Sequence, residues 1–176
     1  MKNQNSKVVL LGYMTSGKST IGKALANRFG MEFFDLDEEI SNQVGMEIPS
    51  IFSEKGELFF RKKESEVLSN LLQSENQFVL SLGGGTPCYG NNITLVNQST
   101  PNSFYLKLSI PNLVKRISKE KHLRPLVAAI PDHELPEFIG KHLFERTPFY
   151  TKANNTIFCD GKTIDEIILE IENALV

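Results

Sequence analysis

The chain has 176 residues, 40% of them apolar and 23% charged, with a formal net charge of −2. That suits one soluble domain with a core of its own, and it excludes the general basic field that non-specific nucleic-acid binding needs. Cys88 and Cys159 lie far apart without metal-type spacing, and no signal peptide or long apolar segment is present, so the expectation is a cytoplasmic protein without nucleic-acid or membrane partners.

Residues 7 to 12 read as a first strand, continuously apolar from Val8 to Leu11 as a parallel strand covered on both faces would be. The strand runs into Gly12-Tyr13-Met14-Thr15-Ser16-Gly17-Lys18-Ser19-Thr20, which fits the phosphate-cradling pattern G-x-x-x-x-G-K-[ST]. Glycines let successive backbone N–H groups turn inward toward phosphate oxygens, and the helix that follows adds its positive end. In that pattern Lys18 reaches the β- and γ-phosphates and the Ser19 hydroxyl ligates magnesium, which points to ATP or a related nucleotide with Mg2+.

The helix over residues 18 to 29 places Ile21, Leu25 and Phe29 at helical spacing and ends at Gly30. Met31 to Phe34 is a second strand, with a helix beginning near Asp37, where acidic residues suit the helix dipole. Residues 44 to 56 read as a brief helix with turns and Glu57 to Ser74 as a long amphipathic helix. Gln77 to Leu82 is a third strand, broken by Gly83-Gly84-Gly85 and followed by a modest helix over 91 to 97. Ser103 to Leu108 is a fourth strand, and Pro111 opens a helix at its first position. Residues 119 to 131 read as a mobile surface loop, 134 to 150 as a helix with its ends limited by Pro136 and Pro148. Thr156 to Cys159 and a last helix around Ile164, Ile167, Ile168 and Ile171 complete the alternation, which argues for an α/β fold with a parallel sheet and right-handed crossovers.

Several residues carry two readings. Asp35 and Asp160 both end apolar runs and are candidates for the magnesium shell; Asp35 is preferred because Asp37 stands two residues on, and Asp160 before Gly161 reads as a turn. Asp37 is either the carboxylate that orients an acceptor hydroxyl and takes its proton, or a helix N-cap. The triple glycine at a strand's carboxyl end is either a close approach to a ligand or a flexible turn. Arg61, with Glu64 one turn on, is either held by an ion pair while pointing at an anion or a solvated salt bridge, and Arg146 shares the ambiguity. Arg124 is either a lid arginine that closes over phosphates or a plain loop residue. His122, His133 and His142 read as surface or helix residues, and Cys88 has no visible base partner.

Taken together, GYMTSGKSTIG from Gly12, FFDLDEEI from Phe33, GELFFRKKE from Gly56, SLGGG from Ser81, RPL from Arg124 and ERTPFY from Glu145 give a chain that resembles shikimate kinase over nearly its whole length. The resemblance implies a three-layer P-loop kinase fold with strand order 2-3-1-4-5, one domain over residues 1 to 176, a substrate-binding helical region at about 35 to 65 and a lid at about 119 to 131. It implies transfer of the ATP γ-phosphate to the 3-hydroxyl of shikimate by a monomer, in chorismate and aromatic amino acid synthesis. Shikimate would be held by Asp37, Arg61, Gly83, Gly84, Gly85 and Arg146, with Lys18, Asp37 and Arg124 catalytic and Ser19 and Asp35 at the metal. The nucleotide would take Gly12, Thr15, Ser16, Gly17, Lys18, Ser19, Thr20 and Arg124, with Arg116 under the adenine. Thr15 departs from the family, which usually has glycine there; the expectation is a retained fold with altered loop flexibility or nucleotide affinity. A gluconate-kinase-like enzyme and a non-catalytic nucleotide-binding module are the alternatives.

Overall fold

A computed structural model describes residues 7–176 of the protein. Strands β1 (Lys7–Leu11), β2 (Glu32–Asp35), β3 (Phe78–Ser81), β4 (Ser103–Lys107) and β5 (Asn155–Phe158) form one parallel sheet in the order β2-β3-β1-β4-β5. Val8, Val9, Leu10 and Leu11 all have 0% exposure, and because neighbouring strand side chains point to opposite faces, both faces of β1 are covered. The cover comes from helices α1 (Lys18–Phe29), α2 (Leu36–Val44), α3 (Ile48–Gln73), α4 (Asn92–Ser99), α5 (Ile110–Glu120), α6 (Pro125–Ala128), α7 (Leu135–Tyr150) and α8 (Ile164–Ala174). Among the described residues no helix is long and apolar enough to cross a membrane.

This order decides where chemistry can happen. β2, β3 and β1 are neighbours and parallel, so the loops leaving their carboxyl ends lie side by side. Those loops carry Asp35 to Asp37, Gly83 to Gly85 and Gly12 to Gly17. Open parallel sheets bind ligands in this place.

The element boundaries differ from the sequence reading in three places. The segment before Glu57 and the long helix after it form one α3, interrupted where Gly56 adopts φ 82° and ψ 167°, a conformation that side-chain-bearing residues avoid. The stretch read as a loop over 119 to 131 is partly helical: Pro125 starts α6, and the Arg124 carbonyl accepts from the amides of Val127 and Ala128. α7 agrees with the reading over 134 to 150, with Pro148 in its last turn. α5 begins one residue before Pro111, at Ile110. Its first turn is held by Asp160, whose carboxylate accepts from the Ser109 amide at 3.0 Å, from its hydroxyl and from Asn112, so Asp160 ties the end of β5 to α5.

Candidate active site

The first wall is the loop after β1. Gly12 has φ 150°, and a Cβ there would lie 2.8 Å from the Leu106 carbonyl, so only glycine fits on both counts. Gly17, at φ 101°, caps α1 without a side chain, leaving the helix amides facing outward. Lys18 folds back over the loop, its Nζ donating to the carbonyls of Gly12 at 2.8 Å and Tyr13 at 2.9 Å. Burial lowers its pKa to about 8, against the opposing pull of Asp37 and Asp35.

Thr15 is the one non-glycine residue with positive φ, 60°, among the described residues, and its buried hydroxyl has no hydrogen-bond partner. The loop thus keeps a left-handed backbone that glycine adopts without strain. Thr15→Gly is expected to raise the stability of the ligand-free protein by about 0.5–1 kcal/mol, the strain of a side chain in this region less the added chain entropy of glycine. A thermal melt without nucleotide checks it.

The second wall is the start of α2. Asp35, not Asp37, is the N-cap: its Oδ1 accepts from the Asp37 amide at 3.0 Å, and its Oδ2 accepts from the Ser19 hydroxyl at 3.0 Å. Asp37 is therefore free of capping, and its carboxylate faces the glycine turn. Burial raises its pKa to about 6, with Asp35 and Glu64 adding to the rise and Lys18 and Arg61 opposing it.

The third wall is Gly83 to Gly85, none of which has positive φ, so space and not backbone freedom demands glycine there. A Cβ on Gly83 would lie 2.9 Å from Thr86 Oγ1 and 3.1 Å from Asp37 Oδ1. On Gly84 it would meet Arg146 at 3.2 Å, and on Gly85 Arg61 at 2.9 Å. The turn is where one carboxylate and two guanidinium groups converge on bare backbone.

Arg61 is rigid. It donates to Glu64 Oε2 at 3.0 Å, lies 3.5 Å from Glu57 through Nε, and stacks 3.8 Å from the Tyr89 ring centroid. Glu64 is itself only 1% exposed and accepts from Thr86 Oγ1 at 2.7 Å, so it is a buried counterion and the pair is no solvated surface bridge. Tyr150 donates to the Gly84 carbonyl at 2.6 Å and so fixes the turn from the α7 side.

Across the cleft, Arg116 donates to the Thr15 carbonyl at 3.0 Å and Arg124 to Glu120 at 3.0 Å. A cleft of about 510 Å³ is lined by Thr15, Gly17, Lys18, Ser19, Thr20, Asp35, Asp37, Gly83, Gly84, Arg116 and Arg124, together with Lys119 and Glu120. Arg61, Gly85 and Arg146 adjoin it through the glycine turn. Cys88 lies beyond that turn, and burial raises its thiol pKa, which does not favour a nucleophile. The residues that the sequence did not single out are Thr86, Tyr89, Tyr13 and Tyr150. Their only signal is nearness to the motifs: Tyr13 follows Gly12, Thr86 follows Gly85, and Tyr89 and Tyr150 stand four residues after Gly85 and Arg146.

Comparison with known proteins follows the same lines. Residues 14–176 match the family described as shikimate kinase. The shikimate kinase of Flavobacterium psychrophilum is 44% identical over 169 residues, which cover 96% of this chain and 98% of that protein. The crystal structure of shikimate kinase from Bacteroides thetaiotaomicron superposes with a TM-score of 0.87 at 32% identity, covering 95% of this chain and 96% of that one. Shikimate kinase from Acinetobacter baumannii in complex with shikimate gives 0.84 at 30% identity, over 95% of this chain and 90% of that one. A family match over residues 14–176, relatives similar along nearly the whole of both chains and a fold that superposes on theirs leave one assignment: the chain belongs to the shikimate kinase family.

Proposed function

We propose that the protein transfers the γ-phosphoryl group of ATP to the 3-hydroxyl of shikimate, giving shikimate 3-phosphate on the route to chorismate and the aromatic amino acids. The observation that carries this reading is the glycine turn, where Asp37, Arg61 and Arg146 converge on backbone that has no side chains. Two guanidinium groups suit a carboxylate, and a carboxylate of raised pKa beside them suits a hydroxyl about to lose its proton. A relative of the same family has been crystallised with shikimate, which supports that acceptor.

The roles follow from position. Lys18 leaves the Gly12 and Tyr13 carbonyls for the β- and γ-phosphates, where its charge opposes the negative charge of the transition state. Thr15, Gly17, Ser19 and Thr20 line the cleft where the phosphates would lie and Ser16 belongs to the same loop, while Arg116 and Arg124, also in the lining, would meet the base and the phosphates. Asp37 orients the acceptor hydroxyl and takes its proton, while Arg61 and Arg146 hold the carboxylate. Ser19 Oγ and Asp35 Oδ2, 3.0 Å apart, are hard oxygen donors of the kind magnesium takes. When bound there, the ion neutralises charge on the β- and γ-phosphates. Every group this reading uses lies on one chain, so the reaction as proposed needs no second subunit.

Purified protein with ATP and Mg2+ is expected to convert shikimate to shikimate 3-phosphate with a higher kcat/KM than gluconate or other hydroxy acids. A better acceptor in that panel would move the assignment to another small-molecule kinase, and ATP binding without turnover on any of them would leave a non-catalytic module.

Gly85→Ala tests the turn directly. Its new methyl would meet the Arg61 guanidinium at 2.9 Å, so the arginine has to move. The KM for shikimate is expected to rise by about tenfold or more, with ATP affinity unchanged. Initial-rate kinetics in both substrates check it.

A further inference from the structure

Arg146 differs from Arg61 and Arg124, and from Arg116, which is held by the Thr15 carbonyl. Arg61 has Glu57 and Glu64, and Arg124 has Glu120, but among the described residues no carboxylate lies within ion-pair distance of Arg146. What surrounds it is aromatic: its guanidinium carbon lies 5.8 Å from the Tyr13 ring centroid, and the Tyr150 hydroxyl is beside it. A cation without a counterion keeps its charge for an incoming anion, but it has no ion pair to hold its direction.

Tyr13 is only 1% exposed although it lies inside the phosphate loop. Its hydroxyl and His142 Nδ1 share a hydrogen bond of 2.8 Å, and the two rings meet edge to face with centroids 5.5 Å apart. His142 is one helical turn before Arg146 on α7, so both project on the same face of that helix. Phe138, a further turn back, lies 5.5 Å from the imidazole and closes its other side. Burial and the nearby Arg146 push the His142 pKa down, which disfavours a second charge beside Arg146. The Tyr13 carbonyl, meanwhile, is one of the two that hold Lys18.

We infer that Tyr13 and His142 are positioning residues for the reaction: their hydrogen bond fixes the Tyr13 ring as the platform that aims Arg146 at the acceptor carboxylate, and so ties the phosphate loop to α7. The inference rests on the proposed shikimate reading. Neither side chain touches the reacting atoms. Their effect passes through Arg146, so it falls on the acceptor and not on the nucleotide.

Tyr13→Phe keeps the ring and removes the hydroxyl, while His142→Leu removes the partner and leaves the hydroxyl buried. Each is expected to raise the KM and the calorimetric Kd for shikimate about fivefold to tenfold, with the Kd for ATP within twofold of wild type. His142→Asn, whose Oδ1 stands where Nδ1 stood, is expected to recover shikimate binding. The double variant Tyr13→Phe with His142→Leu is expected to be no worse than the poorer single, because both break one bond. Thermal melts with and without ATP separate a positioning effect from simple loss of fold. Shikimate Kd values within twofold of wild type in both single variants would overturn the inference, as would equal losses for ATP and shikimate or no recovery in His142→Asn. A wild-type protein that does not phosphorylate shikimate would instead remove the functional reading itself.

Discussion

Asp37→Asn is expected to lower kcat by about 10³-fold, the usual worth of a positioned general base, while raising thermal stability. The two effects have opposite signs for one reason. In the folded protein Asp37 has its pKa raised from 3.8 to about 6, chiefly by burial and then by Asp35 and Glu64. The fold therefore favours the protonated form, and that contribution is fully present below the unfolded value and lost as pH rises through about 6. At pH 7 the wild type carries an ionised group that the fold disfavours. Asparagine removes it, for a gain on the order of 1–2 kcal/mol after allowance for the open side of the cleft.

The rate follows the same titration in the other direction. Wild-type kcat/KM is expected to climb with pH to a plateau above about 6, since only the ionised carboxylate accepts the proton. In the asparagine variant that limb disappears. ATP affinity is best compared near pH 6, because Asp37 helps to keep Lys18 protonated and Lys18 titrates at about 8. A pH–rate profile and a melting curve check both signs. A variant that loses only shikimate KM would make Asp37 an orienting group and no base.

Arg61→Ala should be the most damaging change on the acceptor side. It removes a guanidinium from the carboxylate site, and it strands Glu64, a carboxylate only 1% exposed, with Thr86 as its remaining partner. An unpaired buried charge costs about 3–5 kcal/mol, so the variant is expected to melt far below wild type and to lose shikimate affinity by about 100-fold. Adding Glu64→Gln separates the two. The neutral amide still accepts from Thr86, so stability should return while shikimate affinity does not. An unchanged shikimate KM in the double variant would sink the carboxylate assignment for Arg61.

The sequence was most readable where one local requirement dictates residue type. The loop from Gly12 to Thr20, the cap at Gly30 and the apolar runs that become β1, β3 and β4 each state their structure within a few positions. It was least readable where a residue's use depends on a distant partner. Asp35 and Asp37 take separate roles in the sequence reading, but which of them caps α2 shows only in the hydrogen bonds Asp35 accepts from Ser19 and from the Asp37 amide. Glu64 was visible as a partner of Arg61 one turn away, but its burial was not, since that depends on Thr86 from another element. Tyr13 and His142 are 129 residues apart, and no local pattern announces such a pair. The stretch over 119 to 131 failed for the opposite reason: its prolines were read as marks of a loop, where Pro125 starts a helix.

The central place of β1 also sets a timetable. Its Lys7 pairs in register with Phe78 and its Val9 with Ser103, so β1 is made well before either of its neighbours. At about 5–20 residues per second on the ribosome, Val8 to Leu11 wait on the order of 5–20 s before both neighbours exist. During that interval the chain carries an unpaired apolar strand and a phosphate loop with nothing to brace it. The most dangerous moment for this protein is therefore its synthesis, and slow release or low temperature during expression should favour the folded over the aggregated product.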